Sequence, residues 1–488
     1  MNFSKHLRIA AFLLSATAGL VLAQVPDGQK PFRQKAAQDK DLRPCVPDCP
    51  TGGRFHSFDP AHPPPAGAKP FRLSQDYPDY YSPSEKFPWA EIDYAVAPEK
   101  YLRAVLAYCL DGNIEVEFRG QENPKRKWYH APWMHDDGDK NKAGAGREYH
   151  HGLTRERRSR EFELHTLQKS KCQNWAVGMV NDRGGYTLGQ VWDTSEEYPD
   201  PTRATFPDNT VSFKLLFTDA QDAEVPFLAG SKKWTANIYQ DVNNYAPPRV
   251  DREVRLLQLD IAVKDPRVGA RSGWIFGTFV YDGGRDGPDV WDRLAFVGLS
   301  WGDDDEVTED LTRKGAFVNP TLKETCLNAE LVEKPGHEYG AKAYMRHFGL
   351  GGRLNGPVDN PVSSCISCHG RAGTYAKPLP LNEKSGLPME TGLLTTTDPT
   401  KFPVAEFARY FRTVRPNSHL EQDKCELWVT TDFSLQIPAG IRNFYQHLRT
   451  QEPVVERLEK RGAVKFTAAE APRLKPLPSQ ERGEMKRD

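Results

Sequence analysis

Residues 360–370 read NPVSSCISCHG, which sets Cys365 and Cys368 three apart and places His369 directly behind them. Only eight cysteines occur in 488 residues, so the pair is not a by-product of abundance. Three chemistries use such a set. It could be a redox dithiol, half of a zinc site, or the attachment point of a c-type haem.

A thioredoxin-like dithiol requires a βαβ setting with the motif opening the first helix, and no parallel-strand pattern surrounds residue 365. A structural zinc requires four ligands, whereas this motif supplies at most three donors; Cys326 and Cys425, the nearest other thiols, are isolated. Haem attachment requires only what is present. On a helical turn Cys365 and Cys368 face the same way, so both can reach the vinyl-derived carbons of one porphyrin. His369 follows where its imidazole can turn onto the iron. A chain of this composition should contain the pattern by accident roughly 0.003 times. The helix is predicted to start with Asn360 as N-cap and Pro361 in its first turn, followed by the small residues Ser363 and Ser364. Gly370 is expected to let the chain turn away beneath the ring.

At Cys365, Cys368 and His369 the chain resembles the cytochrome c family, with the resemblance confined to the C-terminal third. It implies one covalent haem c, a compact, mainly α cytochrome c-like domain over residues 316–465, and transfer of single electrons to or from a redox partner protein. His369 is then the proximal iron ligand. Family members commonly supply a distal methionine downstream beside a proline, which points to Met389 in GLPME; Met485 lies in the charged tail. His419, at a more familiar separation, is the second choice, and His447 sits on a predicted helix. The resemblance does not extend to residues 24–310.

The N-terminus fits haem attachment outside the cytoplasm. Lys5 and Arg8 precede an apolar run, Ile9 to Leu22, and Val21-Leu22-Ala23 offers small residues before Gln24. This reads as a cleavable signal peptide over residues 1–23, too short to be a typical membrane span. A periplasmic or secreted protein with no membrane span after cleavage is expected. In an oxidising compartment the other six cysteines, Cys45, Cys49, Cys109, Cys172, Cys326 and Cys425, are compatible with up to three disulfides. Cys45 and Cys49 could close a tight loop, and Cys326 with Cys425 could clip the haem region.

These residues must be held by a scaffold, and composition narrows it. Gly (38) and Pro (39) favour a loop- and strand-rich chain, and a net charge of −1 gives no reason to expect nucleic acid or an anionic membrane as partner. Residues 24–95 form a Pro-rich extended arm. A β-rich domain with one leading helix spans 96–315. In PEKYLRAVLAYCL, Tyr101, Leu102, Val105, Leu106 and Cys109 recur at helical spacing and stop at Asp111-Gly112. Alternation then predicts strands at IEVEF (Ile114, Val116, Phe118), at Val211, Phe213, Leu215 and Phe217, and at Leu257, Leu259, Ile261 and Val263. Trp175, Val177 and Met179 followed by NDRGG and Tyr186, Leu188 and Gln190 read as a hairpin. GWIFGTFVYDG and RLAFVGLSWG are apolar on both faces, like central strands. The fold class predicted is multidomain: an antiparallel β sandwich-like domain, then the mainly α haem domain. Helices are predicted there at VAEFARYFRTV and AGIRNFYQHL, and residues 466–488 form a disordered charged tail.

Other candidate chemistry is weaker. His130, His135, Asp136, Asp137, His150 and His151 gather within one segment but without ligand spacing, which favours a solvated polar loop over a metal site. DRGGYTLGQVW reads as hairpin rather than phosphate loop because no helix is expected after it. Asp303, Asp304, Asp305 and Glu306 read as an exposed acidic turn rather than a calcium site. Tryptophans, ten in all, are expected mainly in the core, with room for a small-molecule substrate on the β-rich domain. An exported c-type cytochrome is the first expectation. The alternatives are a haem oxidoreductase whose β-rich domain binds substrate, and a haem-based sensor or binding protein.

Overall fold

Alternation sets the first half of β3 (Val211–Thr218): Val211, Phe213 and Leu215 are buried in the core, while Ser212 and Lys214 turn to the opposite face. Leu216 and Phe217 are both buried in the same cluster, at a bulge in the pairing with the next strand. The same rule governs β5 (Ala246–Lys264), where Leu257, Leu259, Ile261 and Val263 join that core. The structure is a computed structural model and describes residues 55–135, 146–193, 198–243, 246–268, 272–302, 325–328, 331, 349, 353–360, 363–375 and 428–449.

Among the described residues, β3 and β5 belong to one antiparallel sheet. Its other strands are β1 (Thr154–Arg155), β2 (Asn174–Val180), β4 (Lys233–Asp241), β6 (Trp274–Tyr281), β7 (Leu294–Ser300) and β8 (Thr325–Leu327). The order is β1-β2-β3-β5-β6-β7-β8, with β4 paired to residues 246–255 of the long β5. β6 and β7 are buried along their whole lengths, as expected for central strands with both faces covered.

One face is covered by α1 (Pro98–Leu110), whose Tyr101, Leu102, Val105, Leu106 and Cys109 are buried in the main core. The helix stops before Gly112, whose φ of +78° suits glycine. α1 comes so close to β6 that a Cβ on Gly277 would lie 2.4 Å from Leu102 Cδ1. The opposite face of β5 and β6 is mixed: Gln258, Asp260, Ala262 and Lys264 stand beside Val280, Thr278, Phe276 and Trp274 in register. A second apolar cluster forms there from Trp274, Phe276, Ile366 and Phe433 together with Ile437, Ile441, Phe444 and Tyr445 of the helix Gln436–Arg449. From Phe55 onward the Pro-rich segment adds Phe55, Phe71, Leu73 and Tyr77 to this cluster.

Two predicted strands take other forms. IEVEF is a turn: Phe118 N–H bonds Asn113 O, and Glu117 and Phe118 have φ of 51° and 57°, which no strand accommodates. The predicted hairpin is a strand followed by a helix, α2 (Asp182–Val191), capped by the Asn181 side chain accepting from Gly184 N. Its glycines mark close packing rather than a turn, since a Cβ on Gly184 would lie 2.5 Å from Val180 Cβ and one on Gly185 2.5 Å from Tyr129 Cδ2. A helix therefore does follow the NDRGG stretch, with its first N–H groups already capped from within.

In the C-terminal third the described helices are α3 (Cys365–His369) and α4 (Gln436–Arg449), with a two-stranded sheet of β9 (Gly373–Tyr375) and β10 (Trp428–Thr430) between them. The helix at AGIRNFYQHL is thus present, whereas VAEFARYFRTV lies outside the described residues, and a mainly α domain is not shown. Residues 1–23, Cys45, Cys49, Asp136, Asp137, residues 303–306, Met389, His419, Cys425, Met485 and the tail 466–488 also lie outside them. Cys109, Cys172 and Cys326 are free thiols, so these three take no part in the up to three disulfides expected, and the clip through Cys326 is corrected. Among the described residues eight tryptophans are buried, as an aromatic core requires. No helix among the described residues is long and apolar enough to cross a membrane.

Candidate functional site

The turn carrying the two thiols is begun by Ser364, not Asn360. Ser364 has extended backbone, φ −147° and ψ 159°, and its Oγ accepts the Ser367 N–H at 3.2 Å. The two serine hydroxyls also meet at 2.6 Å. Asn360 instead offers its carbonyl to Asn355 Nδ2 and to Ser363 N. Hydroxyl chemistry one residue before the helix outcompetes the more distant Asn-Pro signal. Gly370 closes the turn with φ −63°, so the freedom expected of it is not used; a Cβ there would crowd Ile366 O at 2.9 Å and Phe433 Cε1 at 3.2 Å.

His369 is fixed at one ring nitrogen. Its Nδ1 lies 2.8 Å from the Phe433 carbonyl oxygen. A carbonyl only accepts, so Nδ1 carries the proton and Nε2 holds the lone pair. Burial, with Lys214 adding to it and the Phe433 bond opposing it, lowers the His369 pKa to about 4, so the imidazole is neutral at physiological pH. The Phe276 ring lies against it with centroids 4.9 Å apart, and Phe276 and Phe433 are 6.1 Å apart. A neutral imidazole oriented through Nδ1 is the donor form that iron takes at Nε2.

Cys365 faces the sheet. Burial pushes its thiol pKa well up, and Asp359 and Asp260 push it further, against a hydrogen bond with Thr278. A catalytic dithiol needs the opposite, a thiolate stabilised by positive surroundings. Neither Cys365 nor Cys368 is in a disulfide. Among the described residues no group of three or more His, Cys, Asp or Glu is arranged to hold a metal ion. The donors present match haem: two sulfurs on one capped turn, an oriented neutral imidazole, and an aromatic surface beside it.

Beside Cys365 the mixed face of the sheet carries a polar cluster that the sequence reading passed over. Lys214 Nζ lies 3.8 Å from both Glu156 Oε1 and Asp260 Oδ2. Asp260 accepts from Gln258 Nε2 at 2.8 Å and from Thr278 Oγ1 at 2.9 Å, while Asp359 accepts from Gln258 at 3.3 Å. Burial first, then Asp359, raises the Asp260 pKa to about 7 against the opposing pull of Lys214. Burial alone would lower Lys214, but Glu156, Asp260 and Asp359 raise it, so the ammonium stays charged. The period-two pattern that put Leu257, Leu259 and Ile261 in the core already implied a second face carrying Gln258 and Asp260.

The histidine-rich segment is not a solvated loop where it is described. His130 is fully buried, accepts from Ser74 N at Nδ1, and meets the Phe71 ring edge-on. His135 is buried between His56 and Trp133. His150 pairs with Asp251 at 3.1 Å, and His151 stacks on Trp234 at 4.1 Å. Each serves its own local packing. His447 lies on α4, with its ring 5.3 Å from that of Trp133. No protein-family model, curated protein or solved structure matches the chain.

Proposed function

We propose that the protein is an exported c-type cytochrome that carries one covalent haem and passes single electrons to a redox partner protein. Cys365 and Cys368 would tether the ring and His369 would ligate the iron, with Met389 the first choice and His419 the second for the distal position. When bound, the haem supplies one-electron redox chemistry through its iron. The chain's own residues do the rest. Ser364 organises the turn that presents both sulfurs, Phe433 O orients His369, and Phe276 with Phe433 walls the imidazole off from water.

The observation that carries this reading is the 2.8 Å contact between His369 Nδ1 and the Phe433 carbonyl, because it leaves Nε2 as the donor. We read residues 1–23 as the signal peptide that delivers the chain to the periplasm or beyond, residues 316–465 as the haem-carrying, cytochrome c-like region, and the large sheet as a sandwich-like partner domain. A second reading, an oxidoreductase whose β-rich part binds a small-molecule substrate, is favoured by the Lys214–Glu156–Asp260–Asp359 cluster, which places acid–base groups beside Cys365.

The test is the mass of the intact, denatured and solvent-extracted protein after expression with its leader in a host that attaches haem outside the cytoplasm. One retained macrocycle is expected for the wild type, and none for the double variant Cys365→Ser, Cys368→Ser. A wild-type chain at its bare polypeptide mass would end the proposal.

A further inference from the structure

Phe433, whose carbonyl orients His369, sits in backbone that a side chain rarely adopts. Asp432 and Phe433 have φ of 45° and 65°, two left-handed non-glycine residues in succession. Such a conformation is strained for a residue with a side chain and persists only where surrounding contacts over-determine it.

The contacts that do so converge on the carboxylate of Asp432, which is 1% exposed. Oδ1 accepts from Lys264 Nζ at 2.7 Å and from Trp274 Nε1 at 2.9 Å. Oδ2 accepts from the Phe206 N–H at 2.8 Å. Lys264 and Trp274 are cross-strand neighbours on β5 and β6, so the carboxylate is clamped by the sheet itself. Thr431 N bonds Ala372 O, and Ala372 N bonds His369 O, which ties the same turn back to the thiol-bearing segment. Two strands of the sheet therefore hold the one residue that precedes the orienting carbonyl.

We propose that Asp432 is a positioning residue for His369: clamped by Lys264 and Trp274, it forces the left-handed turn that aims the Phe433 carbonyl at His369 Nδ1. The inference rests on the haem reading for its purpose but not for its geometry. It assigns the sheet a share in setting the proximal imidazole, since a stronger Nδ1–H···O bond makes the ring a better donor to iron and lowers the reduction potential.

The experiment uses the full chain, both haem-loaded and produced without haem, as wild type, Asp432→Asn and Trp274→Phe. In the haem-free chain, ¹⁵N-labelled histidine reports which nitrogen of His369 carries the proton. Asp432→Asn is expected to mix the tautomers, with Trp274→Phe, which deletes one donor and keeps an aromatic ring, moving part of the way. In the loaded chain both variants should raise the reduction potential, and displacement of His369 by added imidazole should become about tenfold easier, as for other outer-shell partners. Should both variants fold and leave the tautomer and the potential unchanged, the assignment is overturned. If Asp432→Asn does not fold, Trp274→Phe decides: lower stability with unaltered tautomer means a purely structural role. A wild type without covalent haem ends the functional reading, while the nitrogen spectra still decide the role of Asp432.

Discussion

His369 and Phe433 lie 64 positions apart in sequence, yet the imidazole Nδ1 of one and the carbonyl oxygen of the other are 2.8 Å apart. The bond joins the turn that bears both thiols to the segment that begins α4, and it selects the tautomer of the imidazole. On the proposed haem reading, loss of that imidazole separates ligation from attachment. His369→Ala is expected to retain covalent haem through Cys365 and Cys368, so the intact mass stays one macrocycle above the polypeptide. Its reduced form should bind carbon monoxide rapidly where the wild type does so slowly, as read by stopped-flow absorbance. Complete loss of attachment in this variant would mean that the imidazole acts earlier, during loading.

Ser364 gives a prediction that does not involve the iron. Its Oγ caps Ser367 N, and replacing an N-cap hydroxyl by a methyl group costs about 1 kcal/mol. Ser364→Ala should lower the denaturation midpoint accordingly, while Ser364→Thr, which keeps the hydroxyl, should lower it less. Asn360→Ala should leave the turn unchanged, although Asn360-Pro361 was the sequence's own signal for its start.

How much could be read beforehand follows from which signals are local. The period-two pattern of Val211 to Phe217 and of Leu257 to Val263 gave those strands and their core face correctly, because alternation is imposed residue by residue. The spacing of Cys365, Cys368 and His369 is equally local. What escaped was long-range: Asn181 and the glycines after it looked like a turn, but Gly184 and Gly185 are small because Val180 and Tyr129 press on them. Likewise nothing near His369 names Phe433, and nothing near Asp432 names Lys264 or Trp274, since each bond spans a distance that only the folded sheet closes.

Asp260 makes stability depend on pH with a definite sign. Its pKa is raised from the ordinary carboxylate value to about 7 by burial and by Asp359, while Gln258, Thr278 and the charged Lys214, itself beside Glu156, pull the other way. The folded chain therefore holds a proton that the unfolded chain has already released. Between the ordinary carboxylate range and about pH 7 folding binds more protons than unfolding, so stability is lost as pH rises through that window. Denaturant midpoints measured at pH 5 and pH 8 should fall more for the wild type than for Asp260→Asn. Equal pH dependence in the two would remove Asp260 as the cause.

The approach of α1 to β6 offers a test of the scaffold that requires no ligand. A Cβ on Gly277 would lie 2.4 and 2.5 Å from the two Leu102 methyl carbons and 2.8 Å from Leu299 Cδ2. Leu102 is fully buried, so its neighbours leave it little room to retreat. Gly277→Ala is expected to destabilise by about 1–3 kcal/mol through overpacking. Leu102→Ala alone should cost about 2–5 kcal/mol through the cavity it leaves. Together they should cost less than their sum, because the alanine methyl enters space that Leu102 has vacated, giving a favourable coupling on the order of 1 kcal/mol in a double-mutant cycle. Strict additivity in denaturant titrations would show that α1 shifts away from β6 to admit the methyl, and that Leu102 does not set the spacing between helix and sheet.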